Sequence, residues 1–276
     1  MGLKLFVISH KDVDIPVATY LYPIRSNRTD GIQIAEKESY SELRAQYWVW
    51  KNERFDSADY VGFFHYRRYL DLDKEKLFDP SLGQKRPLPY RIKRKPDARV
   101  YSHPEIETLA THFDVIAPVW EYTGVPVWKR YNASKKQRAE DLKKIYQIVS
   151  DRYPSFVPAA NHYLSGSGEY YGNIYIMRGD YFRKYCSWLF DILTEFDRRT
   201  PDAPPFTDGF LGERLFGIYF TWLTWSGVRC GELPRLHFSI YDDEAHHAGR
   251  EYLVNLLLRP GSKLRGQLRK TIYRLG

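Results

Sequence analysis

Residues 60–69 read YVGFFHYRRY, and this stretch narrows the fold more than any other. Tyr60 to Phe64 is apolar, aromatic and β-prone, the signature of a buried strand. His65, Arg67 and Arg68 then follow at once, between Tyr66 and Tyr69. An apolar strand that ends in cations can hold an anion at the rim of a sheet. Guanidinium forks match phosphate oxygens better than an ammonium does. If the chain stays extended past His65, Arg67 and Arg68 point to opposite sides. One then meets a ligand while the other pairs with a carboxylate. The competing reading is a solvated arginine pair.

The rest of the chain supplies the neighbours of such a strand. KLFVIS at 4–9 predicts a first strand, with His10 and Lys11 at its carboxyl end. Ligands of open α/β sheets bind outside strand carboxyl ends. Ser39 and Glu42 have capping-box spacing and predict a helix to Asn52, with Tyr40, Leu43, Tyr47 and Trp50 as its buried stripe. DVIAP at 114–118 and NIYIM at 173–177 predict further strands, and 231–238 another. Helices are predicted over 104–112, 139–150, 180–196 and 208–222. Residues 12–31 read as a loop, and 70–99 as a long proline-rich mobile loop. Strands alternating with helices predict an α/β fold built on βαβ units.

Composition decides between partners only in part. The formal net charge of +8 favours anionic ligands: phosphorylated substrates, nucleic acid or anionic lipid. Residues 84–99 hold seven basic residues and one acid, yet no nucleic-acid motif appears, so no nucleic acid is expected as partner. The two cysteines, Cys186 and Cys230, form no disulfide framework and no zinc spacing, which favours a reducing compartment. The first residues, MGLKLFVISH, are too short an apolar run for a signal peptide, and no apolar stretch is long enough to span a membrane. A cytoplasmic protein is expected. One domain is expected over 1–250, followed by a basic tail over 251–276. Within the tail, 259–276 carries six basic residues, no acid, and Leu264, Leu268 and Ile272 at four-residue spacing. That pattern suits peripheral contact with the inner face of the plasma membrane, or a flexible terminus.

GxGxxG and GxxxxGK[ST] are absent from strand-to-helix junctions, and HExxH, GxSxG and CxxC are absent altogether, so dehydrogenase, kinase and hydrolase readings lack their parts. What remains is a set of polar residues around the presumed strand ends. Asp208 and Glu213 open the late helix. Glu169, Tyr171 and Asn173 flank the late strand. Asp71-Leu72-Asp73 spells DxD just past the arginine pair. Each has a plain structural alternative: Glu213 as the ion-pair partner of an arginine, Asn173 as a backbone cap, the DxD as a decoy in a charged loop.

The helix YSELRAQYWVWKN, with YVGFFHYRRYL, YYGNIYIM and GFLGERLF, resembles a bacterial family of capsular and exopolysaccharide synthesis proteins. That family is known as a domain of unknown function or as glycosyltransferases of GT-A-like, Rossmann-like mixed-sheet fold. Some members are similar to galactofuranosyltransferases. The likeness covers Leu3 to Phe238. It implies transfer of a sugar, galactofuranose among the candidates, from a nucleotide-diphosphate donor, preferably UDP-linked. The acceptor would be a saccharide or lipid-linked glycan of capsule, O-antigen or exopolysaccharide. Arg67, Arg68, His65, Tyr66, His10 and Lys11 would bind the donor diphosphate. Glu213, and after it Asp208, would be the catalytic base, and Asn173, Tyr171 and Glu169 would contact sugar or acceptor. In GT-A folds a DxD motif usually ends the middle strand and holds a metal. Here HYRR stands there. Either the arginines replace the metal, or His65 with a distant carboxylate, or Asp71 and Asp73, still hold Mg²⁺ or Mn²⁺. A non-catalytic carbohydrate-binding member of the same fold is the first alternative, and a nucleic-acid-binding protein the second.

Overall fold

The computed structural model describes residues 2–82, 86–93, 112–133 and 137–238, together with 108, 258 and 264. The helix expected over 104–112 and the basic tail fall almost wholly outside the described residues, and so does much of the basic stretch at 84–99.

Six strands make the main sheet. They are β1 (Leu3–Ser9), β2 (Leu21–Arg25), β3 (Tyr60–His65), β6 (Val115–Pro118), β9 (Tyr175–Arg178) and β10 (Cys230–Leu233). Their order is β2-β1-β3-β9-β6-β10. All run parallel except β9, which lies antiparallel between β3 and β6. The carboxyl ends of five strands and the start of β9 therefore share one rim. A smaller group leaves that rim: β4 (Arg68–Leu70), β5 (Tyr90–Lys93) and β11 (Arg235–Phe238), with β11 antiparallel to β4 and parallel to β5. The two-residue strands β7 (Glu121–Tyr122) and β8 (Gly168–Glu169) pair separately.

The alternation of side chains explains why β1 and β3 are apolar almost throughout. Phe6 and Ile8, with Val61 and Phe63, face one core; Leu3, Leu5 and Val7, with Tyr60 and Phe64, face the other. A strand buried on both faces cannot alternate polar and apolar residues. Gly62, on β3, sits between Leu5 of β1 and Ile176 of β9. A Cβ there would lie 2.5 Å from Leu5 Cδ2 and 2.9 Å from Ile176 Cγ1.

One face of the sheet takes the helices α1 (Leu43–Asn52), α2 (Val127–Asn132), α3 (Ala139–Arg152), α4 (Val157–Ser165), α5 (Gly179–Arg199) and α6 (Thr207–Trp225). In α5 the stripe Phe182, Leu189, Ile192, Leu193 and Phe196 is buried at helical spacing. Each such side chain contributes about 1.5–3 kcal/mol of burial. The other face is covered by the segment before β2, by Leu72 and Leu77, and by β4 and β11 through Tyr69, Leu70, Leu236 and Phe238.

Several expectations need correction. The capping box does not form: Glu38–Tyr40 is a 3₁₀ turn, Ser41 is left-handed at φ 51°, and Glu42 makes no cap bond. Of the expected stripe, Tyr40 and Leu43 are buried, while Tyr47 and Trp50 are half-buried against Phe190. Residues 12–31 contain β2, hidden because Tyr22 and Pro23 are exposed at the sheet edge. Pro234, which has no N–H to donate, divides the single strand expected over 231–238 into β10 and β11. The chain does not stay extended after His65. Tyr66 and Arg67 form a tight turn, and His65 pairs with Arg68 across it. The segment after Leu70 is partly built into the fold: Asp71 and Phe78 are buried, Phe78 pairs with Glu232, and β5 joins the sheet edge.

Candidate functional site

The rim divides into two charge regions. On the β1–β2–β3 side lie basic residues. His10 and Lys11 are exposed at the end of β1, Arg25 ends β2, and Arg67 and Arg68 follow β3. Tyr66 is buried at 2% exposure beneath them. Its ring meets His10 edge-on at 5.5 Å and His65 at 4.4 Å, with Lys11 Nζ at 5.7 Å and the Arg67 guanidinium at 5.5 Å. Tyr66 is thus a platform for the cations, and its burial keeps the ring from a bound diphosphate. Burial, then the charges of Lys11, Arg67 and Arg25, lower the His10 pKa. Burial, then Arg68 and Arg67, lower that of His65 well below the usual value. Both imidazoles are therefore neutral at pH 7. Arg25 was missed by sequence reasoning because β2 was hidden. It pairs with exposed Asp12 at 2.8 Å. The Arg68 side chain has no hydrogen-bond or ion-pair partner among the described residues.

The other side carries carboxylates, each held by arginine. Arg214 bridges Glu169 at 3.0 Å and Glu213 at 2.7 Å, and is itself buried. Arg235 pairs with Glu121. Arg86 pairs with Glu232 at 3.0 Å and lies 4.4 Å from the Trp120 ring centroid. Tyr170 donates to the same carboxyl at 3.0 Å. Burial pushes Glu232 up to about 7, against the pull of Arg86 and Tyr170. None of Glu121, Glu232, Arg86 and Arg235 was singled out from the sequence. Buried acids spaced far from their arginines leave no linear signal.

Glu213 stands where the two regions meet. Its Oε1 accepts the Gly172 N–H at 2.5 Å and its Oε2 the Arg214 guanidinium. Burial pushes its carboxyl up to about 7; Glu42 pushes the same way, while Arg214, Gly172 and Arg68 pull down. The influence of Arg68 ties the free guanidinium of the first region to the carboxyl of the second. The Glu213 side chain keeps 13% of its surface open. Asp208, five residues earlier, is 0% exposed and is likewise pushed by burial to about 7. Its neighbours are Ser39, Asp197 and Lys37. A sealed carboxyl cannot meet an acceptor hydroxyl, so Glu213 is the better placed of the two.

Glu169 is buried at 1% exposure with its Oε2 held by Arg214, and the same arginine lies 5.9 Å from the Tyr171 ring centroid. Asn173 is not in a strand. It lies in the turn before β9 at φ 49°, with its side-chain amide on Glu42 at 2.7 Å and on the Gly209 carbonyl at 3.0 Å. Both amide hydrogens are thus used within the protein.

The metal alternatives fare differently. His65 accepts the Arg67 N–H on Nδ1 at 3.3 Å and lies among cations, a setting that repels a divalent ion. Asp71 is buried against Arg91 at 2.5 Å and Lys76 at 3.1 Å. Asp73 pairs with the same lysine at 2.5 Å, which lowers its pKa. Ammonium and guanidinium groups already occupy these carboxylates, so the DxD does not fit a metal. Among the described residues no cluster of three or more ligating side chains is found. Nor is any helix among them long and apolar enough to cross a membrane.

The family described as a domain of unknown function, DUF4422, matches residues 4–223. The chain belongs to that family. Glu213, Asn173 and the arginine pair all fall inside the matched stretch, whereas Glu232 and Arg235 lie beyond it. Among curated proteins nothing matches. The solved apo structure of WbbM, a bifunctional glycosyltransferase, aligns with a TM-score of 0.74 at 25% identity. The alignment covers 87% of this chain and 46% of WbbM, so the chain spans less than half of that protein's length. The fold is GT-A-like, a mixed sheet flanked by helices.

Proposed function

We propose that the protein is a glycosyltransferase that uses a nucleotide-diphosphate sugar. The observation that carries this reading is a GT-A-like rim on which the charge of Arg68, whose side chain has no partner among the described residues, reaches a narrowly open Glu213 carboxyl with a raised pKa. The family match and the likeness to WbbM support it. A UDP-sugar is the proposed donor, with galactofuranose among the candidates. The proposed acceptor is a saccharide or lipid-linked glycan of a surface polysaccharide.

In this reading the donor diphosphate lies across Arg67 and Arg68, with His10 and Lys11 beside it. Glu213 takes the proton of the acceptor hydroxyl. The oxygen attacks the anomeric carbon from the opposite face. The bond to the diphosphate oxygen breaks, and the electron pair leaves with the nucleoside diphosphate. Guanidinium groups fixed at the strand end stabilise that developing charge without reorganising. Single displacement inverts configuration. The cationic donor set favours neutralisation by arginine in place of a metal.

Donor-dependent transfer is the test. A thermal-shift panel of nucleotide sugars, with and without Mn²⁺, identifies the donor, because a ligand of the native state raises its apparent stability. Transfer to a glycan acceptor is then expected, and Glu213→Gln should abolish it. Binding of a nucleotide sugar with no transfer to any acceptor would instead identify a carbohydrate-binding protein. The ion pair of Glu213 with Arg214 is the observation that favours that second reading.

A further inference from the structure

Glu213 owes its position to a turn on a different element. Gly172 and Asn173 are both left-handed, at φ 92° and 49°. Glycine adopts that conformation without steric cost, and asparagine tolerates it better than most residues. Two successive left-handed residues turn the chain sharply before β9, and the turn leaves the Gly172 N–H directed at Glu213 Oε1. Strained backbone of this kind persists only where its surroundings fix it.

The fixing groups are on the page. Asn173 Nδ2 donates to Glu42 Oε1 at 2.7 Å and to the Gly209 carbonyl on α6 at 3.0 Å. The Asn173 carbonyl accepts Gln46 Nε2 at 2.7 Å, and Gln46 Oε1 in turn accepts the Tyr175 hydroxyl at 2.9 Å. Gln46, Asn173 and Tyr175 are buried. The turn is thus fastened to α1, α6 and β9 together. Glu42, left without a cap role, faces the same point as Glu213.

The geometry points to Asn173 as a positioning residue for Glu213, acting with Glu42: Asn173 aims the Gly172 amide at the carboxyl, and Glu42 sets a like charge beside it. This rests on the proposed role of Glu213 as base. The charged and titratable groups that face Glu213 are Arg214 from its own helix, Glu169 across the same guanidinium, Glu42 ahead of α1, Arg68 from β4 and Tyr163 from α4. Of the two acids, Glu169 is ion-paired with Arg214 and Glu42 is held by the Asn173 amide. Glu42 disfavours the ionised carboxyl, whereas the Gly172 amide favours it.

The two contributions have opposite signs, which makes them separable. Asn173→Gly retains access to the left-handed backbone but loses both side-chain ties. The Gly172 amide then loses its aim, so the acidic limb of the kcat/KM profile should move to higher pH. kcat should fall on the order of 10- to 100-fold, with donor KM nearly unchanged. Glu42→Gln keeps an acceptor for Asn173 but removes the charge. Its acidic limb should move to lower pH, by on the order of half a unit or more. A purely structural role would lower activity in both variants without moving either limb in these opposed directions. If both limbs stay at the wild-type position while Glu213→Gln is inactive, this inference fails and the proposed function stands. If Glu213→Gln is fully active, the base assignment fails and this inference with it. Circular dichroism and thermal melting of each variant show that folding is retained, and Glu42→Gln keeps the test decisive if Asn173→Gly does not fold.

Discussion

The two halves of the rim treat charge in opposite ways. Around β1, β2 and β3, basic side chains gather: exposed Asp12 holds Arg25, while the Arg68 side chain has no partner among the described residues. Around β6, β10, β11 and α6, Glu121, Glu169, Glu213 and Glu232 each have an arginine, and most are sealed. The first half carries uncompensated positive charge that a ligand can neutralise. The second is compensated from within, and breaking one of its pairs would strand a buried charge at a cost of about 3–5 kcal/mol. Glu213 belongs to the second half by its ion pair and to the first by its openness and by Arg68.

The largest effect that tests this contrast is at the junction. Glu213→Gln should lower donor-dependent transfer by about 10²–10⁴-fold, the usual range for a lost general base. Its melting temperature should stay close to wild type, since Gln can still accept the Gly172 N–H and Arg214 keeps Glu169 as its counter-charge. Next come the cations. Arg68→Ala or Arg67→Ala removes a charge-assisted hydrogen bond worth about 1.5–3 kcal/mol. Each should raise the dissociation constant for nucleoside diphosphate by about 10- to 150-fold. Comparable loss from Arg214→Ala, accompanied by unfolding, would instead mark the structural half.

A third prediction concerns pH. Transfer should rise as Glu213 deprotonates near its pKa of about 7 and fall away below it. Stability should run the other way. Asp208 has a folded pKa of about 7, raised above its unfolded value by burial. Its contribution is fully present below the unfolded pKa and is lost as pH rises through about 7, each pKa unit being worth about 1.4 kcal/mol. Asp208→Asn should therefore flatten the decline in melting temperature between roughly pH 4 and 7. If that decline persists unchanged, Asp208 is not the sealed carboxyl described. The smallest effect is expected at the DxD. Asp73→Asn should leave transfer within about twofold, because an exposed pair such as Asp73–Lys76 is worth about 0–1 kcal/mol.

Much of the main sheet was legible because doubly buried strands are written as apolar runs. KLFVIS, YVGFFH and the last four residues of DVIAP each became a strand close to its expected bounds. The late helices were legible from their long stripes. β2 was not, because an edge strand with exposed Tyr22 and Pro23 has no apolar pattern. Nor was the turn at Tyr66–Arg67, since residues with no glycine or proline gave no turn signal. Locally, Ser39-x-x-Glu42 reads as a cap, but a contact made 131 residues away, with Asn173, takes the carboxylate instead. The site residues were legible as types of chemistry, while their grouping around Glu213 depends on three elements distant in sequence.

The central claim is that arginines at the end of β3 carry the charge of the donor diphosphate. Calorimetric binding of UDP tests it most directly, comparing wild type with Arg67→Ala/Arg68→Ala in buffer containing EDTA and again with Mn²⁺. Binding by the wild type in EDTA, lost at least tenfold in the double variant whether or not Mn²⁺ is present, is the predicted result. Binding that requires Mn²⁺, or that survives intact in the double variant, would contradict it.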